Sequence, residues 1–193
     1  MTQKEWDSSD EAQLIAATQK GDHDAFAFLM RLYKDRVFNT ALRFVGNWAI
    51  AEELTQDVFV SVYRNIGGFK GESKFSTWLY RVTWNLCTDW LRRNRRPDRR
   101  TEAVDEADAL PDKRVDLEGE VLEEEQRVAV RDALDRLDEK YRSVIVLHYY
   151  QKLSYDQIAA VLDMPAKTVE TRLYRARKAL RESLESSGRG GDA

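Results

Sequence analysis

Cysteine is almost missing from this 193-residue chain, with Cys87 standing alone. A lone thiol excludes an internal disulfide and a cysteine-based zinc site. Proline is scarce, at three residues, and the nine glycines follow no period, which excludes a collagen-like or proline-rich chain. Long hydrophobic runs are missing as well. The longest aliphatic stretch, Val144-Ile145-Val146-Leu147, falls far short of the roughly 20 residues a helix needs to cross a bilayer. Met1 to Asp10 is polar apart from Trp6, so no secretory leader is expected. These features predict a soluble, cytoplasmic protein with no membrane insertion. His23 and His148 lie far apart, and neither has a second His or Cys near it in sequence. His148 reads as a satisfied core or boundary residue and His23 as a residue at a helix start. No Gly-rich phosphate loop and no recognisable catalytic setting occur, so neither a cofactor nor an enzyme activity is expected.

What is abundant is charge. Charged residues make up 34% of the chain and apolar ones 42%, a balance that favours two small cores over one large one. The net charge is only -3, but it is unevenly spread. Six arginines against Asp98 give +5 between Trp90 and Arg100. Eleven acids against Lys113 and Arg114 give -9 between Thr101 and Glu125. Six bases against Glu170 give +5 between Ala166 and Arg181. Each basic block is able to hold phosphates, because local charge governs counterion release. Solvated helix faces are the plain alternative.

Periodicity is helical nearly throughout, and no segment alternates with period two. Ser9 or Asp10 is placed to cap a first helix that ends near Gly21. Asp22 caps a second, which Gly46-Asn47 ends. A third runs from about Ile50 to Ile66, with Ile50, Leu54, Val58, Val62 and Ile66 in one row. Gly67-Gly68 breaks it, and a polar loop containing Gly71 leads into a fourth helix from about Ser76 to Arg95. A stretch near 97–118 holds Pro97, Pro111 and many acids, and reads as a flexible acidic linker. Further helices follow. Ser154 and Gln157 have capping-box spacing. The last helix runs from near Pro165 to about Ser183, and the glycine-containing tail 186–193 reads as disordered. The predicted fold class is all-α, two small helical domains joined by that linker.

Two helices separated by a short turn containing Pro165 fit a helix-turn-helix. At about 100° per residue, Val169, Leu173, Ala176 and Leu180 of the last helix face inward. Lys167, Glu170, Thr171, Tyr174 and Lys178 face outward, with Arg175 at the margin. Cations, hydroxyls and an aromatic ring on one face suit phosphate contact and base-edge reading. The same projection of the fourth helix puts Leu79, Val82, Leu86 and Trp90 inward. It puts Arg81, Trp84, Asn85, Thr88, Arg92 and Arg95 on the opposite face. Aromatic rings stack on unpaired bases while arginines pin the backbone. Trp84 reads equally as a stacking or wedging ring and as core, and Trp78 as core. Gly71 allows close backbone approach in the loop ahead of this helix, as the cradling of a flipped base requires.

Three blocks resemble a known family. The first is Ala51-Glu52-Glu53-Leu54-Thr55-Gln56-Asp57-Val58-Phe59. The second runs from Phe69-Lys70-Gly71 through Ser76-Thr77-Trp78-Leu79-Tyr80-Arg81-Val82 to Asn85 and Arg92-Arg93. The third is Leu153-Ser154-Tyr155 with Ile158-Ala159, then Val169 and Arg172 to Arg177. In this order, around a short linker, they resemble regions 2 and 4 of group IV sigma factors, the extracytoplasmic-function class of bacterial transcription-initiation subunits. The resemblance covers about residues 10 to 183. It implies a region 2 domain at 1–96, a linker at 97–118, a region 4 domain at 119–185 and a tail at 186–193.

The resemblance also implies partners. Glu53, Gln56 and Asp57 would bind the β′ clamp helices of core RNA polymerase, with acidic and amide groups suited to arginine. Lys70, Ser73, Lys74 and Ser76 would hold a flipped base of the −10 element of promoter DNA. Arg81, Trp84, Asn85, Thr88, Arg92 and Arg95 would melt and read that element. Lys167, Glu170, Thr171, Tyr174, Arg175 and Lys178 would read the −35 element, while the same domain meets the β flap. The linker would thread the polymerase cleft near the RNA exit path. An anti-sigma factor, in some cases holding the protein at the inner membrane, is a further implied partner. Glu170 departs from the basic or small residue that relatives often carry there. It either alters the −35 sequence read or pairs locally with Lys167 or Tyr174. The competing reading is a repressor or activator that binds an operator directly through its helix-turn-helix; a protein-interaction adaptor without a DNA role is a third.

Overall fold

A computed structural model describes residues 11–94 and 128–188, with side chains to residue 185. The described residues are helical and contain no strand. They fall into two compact units. The linker expected at 97–118, Arg95 and the terminal residues 189–193 lie outside the described residues.

The first unit is a four-helix packing of α1 (Glu11–Gln19), α2 (His23–Val45), α3 (Trp48–Asn65) and α4 (Phe75–Asn94). Helix α2 is its centre and packs against the other three. Its limits follow from single residues. The Asp22 carboxylate accepts from the backbone N–H groups of Asp24 and Ala25, both at 3.0 Å, filling donors that a helix start leaves open. Gly46 closes the helix in the left-handed region at φ 68°, where its N–H reaches the Leu42 carbonyl at 2.8 Å. Asn47 then caps α3 by accepting from Ile50 N–H at 3.0 Å. Leu29, Val37, Val58, Val62, Phe75 and Leu79 are among the residues of one buried core. A short 3-10 turn, Ile66–Gly68, ends α3, as the paired glycines predicted.

Helix α4 turns differently from the expected row. Phe75, Thr77, Leu79, Tyr80, Thr83 and Cys87 are its buried positions, while Val82, Leu86 and Trp90 are half-buried. Thr83 is buried at no polar cost because its hydroxyl donates to the Leu79 carbonyl at 2.9 Å. The inward face is therefore centred on threonine, tyrosine and cysteine rather than on the aliphatic row.

After the first unit come a helix described over 128–135 (α5), then α6 (Glu139–Ile145), α7 (Tyr155–Leu162) and α8 (Ala166–Gly188), which form the second unit except for Ala160–Asp163 at the end of α7. Helix α6 passes directly into a π-helical turn, Val146–Tyr150, and packs on α8. Val144 to Leu147 are all buried. His148 is half-buried and its Nδ1–H donates to the Leu153 carbonyl at 3.1 Å, a satisfied boundary histidine. The capping box is complete. Ser154 N–H donates to Gln157 Oε1 at 2.8 Å and Gln157 N–H to Ser154 Oγ at 3.3 Å. Helix α8 runs to Gly188, past its expected end near Ser183.

Candidate polymerase and nucleic-acid interfaces

Burial partitions α8 as its periodicity predicted. Val169, Leu173 and Ala176 are fully buried and Leu180 is half-buried. Lys167, Glu170, Thr171, Tyr174, Arg175 and Lys178 are all exposed, with Tyr174 at 68%. The α7–α8 turn is built for a sharp change of direction. Asp163 sits in the left-handed region at φ 52°, Met164 N–H reaches back to the Ala159 carbonyl at 3.1 Å, and the Pro165 carbonyl accepts from Thr168 at 2.9 Å. Two groups on the outward face are engaged locally. The Thr171 hydroxyl donates to the Lys167 carbonyl at 3.0 Å, and Lys178 lies 3.9 Å from Glu182. The local pairs considered for Glu170 are not formed; its carboxylate has no hydrogen-bond or ion-pair partner among the described residues.

In the first unit the loop between the 3-10 turn and α4 exposes Lys70, Gly71, Glu72, Ser73 and Lys74, while Ser76 is half-buried in the first turn of α4. Gly71 takes φ +76°, a backbone that side chains other than glycine's rarely adopt. The loop's two ends meet. The Phe69 and Phe75 rings are edge to face at 5.6 Å, and Trp78 packs on both at 5.5 and 5.7 Å. Trp78 is half-buried in that cluster, in keeping with a core role.

Along α4, Arg81, Asn85 and Arg92 are exposed, and Arg92 pairs with Asp89 at 3.0 Å. An exposed pair of this kind is worth little and yields readily to phosphate. Trp84 and Thr88 are half-buried. The Trp84 ring meets Phe44 of α2, and the Thr88 hydroxyl donates to the Trp84 carbonyl. Both face the helix packing as much as solvent, so the expected fully outward face narrows to Arg81, Asn85 and Arg92. On α3, Glu53, Gln56 and Asp57 lie on the exposed side, opposite buried Leu54, Val58 and Val62. Val60 and Tyr63 follow Gln56 along that side, exposed at 48 and 39%, and Trp48, at the start of α3 with its ring edge-on to Phe38, is 45% exposed. Sequence reasoning missed these three apolar residues, although the four- and three-residue steps from Gln56 to Val60 and Tyr63 were a usable signal. It also missed Gln19 and Asp89.

A helix-turn-helix with a cationic outer face, in one chain with a unit that sets a polar loop ahead of an arginine-bearing helix, defines a modular DNA-binding protein. Residues 29–97 match sigma-70 region 2 and residues 127–180 match sigma-70 region 4. The extracytoplasmic-function RNA polymerase sigma factor SigW of Bacillus subtilis is 37% identical over 177 residues, covering 88% of this chain and 94% of that protein. The extracytoplasmic-function sigma-E factor of Escherichia coli K12 is 32% identical over 178 residues, covering 89% of this chain and 93% of that protein. Among solved structures, CnrH in complex with the cytosolic domain of CnrY superposes with a TM-score of 0.69 at 27% identity, covering 93% of this chain and 99% of that one. The chain belongs to the extracytoplasmic-function sigma factors of RNA polymerase. It is a promoter-directing subunit of the polymerase, not an enzyme.

Proposed function

We propose that this chain binds core RNA polymerase through Glu53, Gln56 and Asp57 on α3 and directs it to promoters carrying −35 and −10 elements. Lys167, Glu170, Thr171, Tyr174, Arg175 and Lys178 read and hold the −35 duplex. Lys70, Ser73, Lys74 and Ser76 hold a flipped base of the −10 element. Arg81, Asn85, Thr88, Arg92 and Arg95 engage the opened strand, with Trp84 offering the exposed part of its ring. The observation that carries this reading is the partition of α8 into a fully buried Val169–Leu173–Ala176 side and an exposed side bearing every candidate reader. The two matched segments support a region 2 domain within 1–96, a linker at 97–118 and a region 4 domain within 119–185.

An anti-sigma factor is the proposed regulator, supported by the likeness to CnrH held by the cytosolic domain of CnrY. The site of action is the cytoplasm, where polymerase works, and a membrane-held anti-sigma factor would keep the protein at the inner membrane. No helix among the described residues is long and apolar enough to cross a membrane itself.

The test is transcription by purified core polymerase on a genomic DNA library, with transcript ends sequenced. Discrete start sites that depend on the protein and share −35 and −10 motifs are expected. Start sites unchanged by the protein, with its own host's core polymerase, would sink this function. Tight, specific binding to duplex DNA without polymerase would favour direct operator binding.

A further inference from the structure

Helix α1 ends before the segment matched to region 2 begins, yet its last residue holds the loop that faces the −10 strand. Gln19 Nε2 donates to the Ile66 carbonyl at 2.9 Å and to the Phe69 carbonyl at 2.8 Å. Two carbonyls can only be met by the amide nitrogen, so the orientation of this side chain is set by its partners. Those carbonyls bracket the 3-10 turn, immediately before the loop residues Lys70 to Lys74. The other end of α1 reaches the far side of the loop. Glu11 accepts from the Tyr33 hydroxyl at 2.5 Å, and the Tyr33 ring stands edge-on to Phe75, the first residue of α4, at 5.5 Å. Phe75 in turn meets Phe69. Helix α1 thus braces both ends of the loop, and Gln19 is the only member of the brace that touches the loop's own backbone through hydrogen bonds.

We propose that Gln19 is a positioning residue for −10 recognition, setting the loop that receives the unpaired base before DNA arrives. This rests on the assignment of that loop to the −10 element. A loop ordered in advance does not lose its conformational freedom on binding, so removing its anchor weakens binding without removing any DNA contact. The Gln19 side chain is exposed, as is its bond to Phe69, while its bond to the core residue Ile66 is part-buried, so affinity for core polymerase serves as the control for folding.

Full-length holoenzymes carrying Gln19→Met, which keeps length but lacks a donor, and Gln19→Glu, which keeps shape but has only acceptors, test the proposal. The measurement is fluorescence anisotropy with a labelled single-stranded oligonucleotide of a mapped −10 element and with a scrambled one. Both variants are expected to lose about fivefold in affinity for the −10 strand, the scale of one or two hydrogen bonds. Gln19→Met should keep its affinity for the scrambled strand, for core polymerase and for the −35 duplex. Wild-type selectivity in either variant would overturn the proposal. So would a parallel loss of core-polymerase affinity, which would make Gln19 a folding residue. Failure of the wild-type holoenzyme to prefer the −10 strand over the scrambled one would instead sink the loop assignment itself.

Discussion

The Trp84 ring stands edge to face on Phe44, with centroids 5.1 Å apart and planes at 70°. Phe44 is buried at 2% exposure, so Trp84 covers the core from the α4 side while a minor part of its surface stays in solvent. One residue therefore serves packing and keeps an exposed ring edge for the proposed −10 contact. Trp84→Ala is expected to cost about 2 kcal/mol of stability, below the range for a fully buried aromatic truncation because burial is partial. Arg81→Ala, exposed and one turn away, should stay within about 0.5 kcal/mol. Urea unfolding of the two variants separates these outcomes. An unchanged midpoint for Trp84→Ala would mean the edge contact contributes nothing.

The limits of α2 and α3 were readable because single residues set them: Asp22, Gly46 and Asn47 each act on backbone within four positions. The outward face of α8 was readable for a similar reason, since Val169, Leu173 and Ala176 form an unbroken apolar row. The facing of α4 was not. Its buried side uses Tyr80, Thr83 and Cys87, and a hydropathy pattern cannot foresee that a hydroxyl will be satisfied by its own helix. Gln19 was invisible for another reason. A glutamine at a helix end reads as solvent-facing, and its partner carbonyl at Phe69 lies 50 residues away.

Burial pushes the Cys87 thiol up to about 12, from an ordinary 9.0. The folded state thus keeps a neutral thiol where the unfolded chain ionises. Stability from this group is complete below about pH 9, declines as the unfolded thiol ionises, and is gone near 12. Burial also holds the Tyr33 and Tyr80 hydroxyls up, adding losses of the same sign at still higher pH. Denaturation measured across this range should show stability falling from about pH 9, and Cys87→Ala should remove that first part of the decline. At about pH 8 the native protein should resist thiol alkylation that the unfolded chain accepts. Rapid alkylation of native protein would contradict the buried placement.

Gln56 lies on the exposed side of α3, between the acidic Glu53 and Asp57 and near the apolar Val60. With no structural bond to lose, Gln56→Ala should leave the fold unchanged and weaken core-polymerase binding by about 1 kcal/mol, roughly fivefold in Kd. Asp57→Lys, which places a cation where a carboxylate is proposed to meet arginine, should weaken it further and more steeply at low salt. Titration of labelled core polymerase gives both constants. Equal affinity in all three proteins would remove this face of α3 from the interface.

Glu170 is the one carboxylate among the candidate readers of α8, and it has no partner among the described residues. Lys167, Arg175 and Lys178 on the same face attract phosphates, whereas a carboxylate beside a phosphate is repelled. Glu170 therefore gains only by pointing at a base edge, where it accepts from cytosine N4 but not from guanine O6 or N7. This requires one −35 position at which cytosine on either strand is preferred, by about 1–3 kcal/mol over the wrong base. Glu170→Arg should turn that preference to guanine, since guanidinium pairs with O6 and N7. Glu170→Gln should relax it while raising affinity slightly for every sequence. Selection of promoters from a randomised −35 library with the three holoenzymes distinguishes reading from mere repulsion. If Glu170 only repels phosphate, both variants raise affinity uniformly and the sequence profile stays the same. A profile that changes at one position assigns the carboxylate to that base.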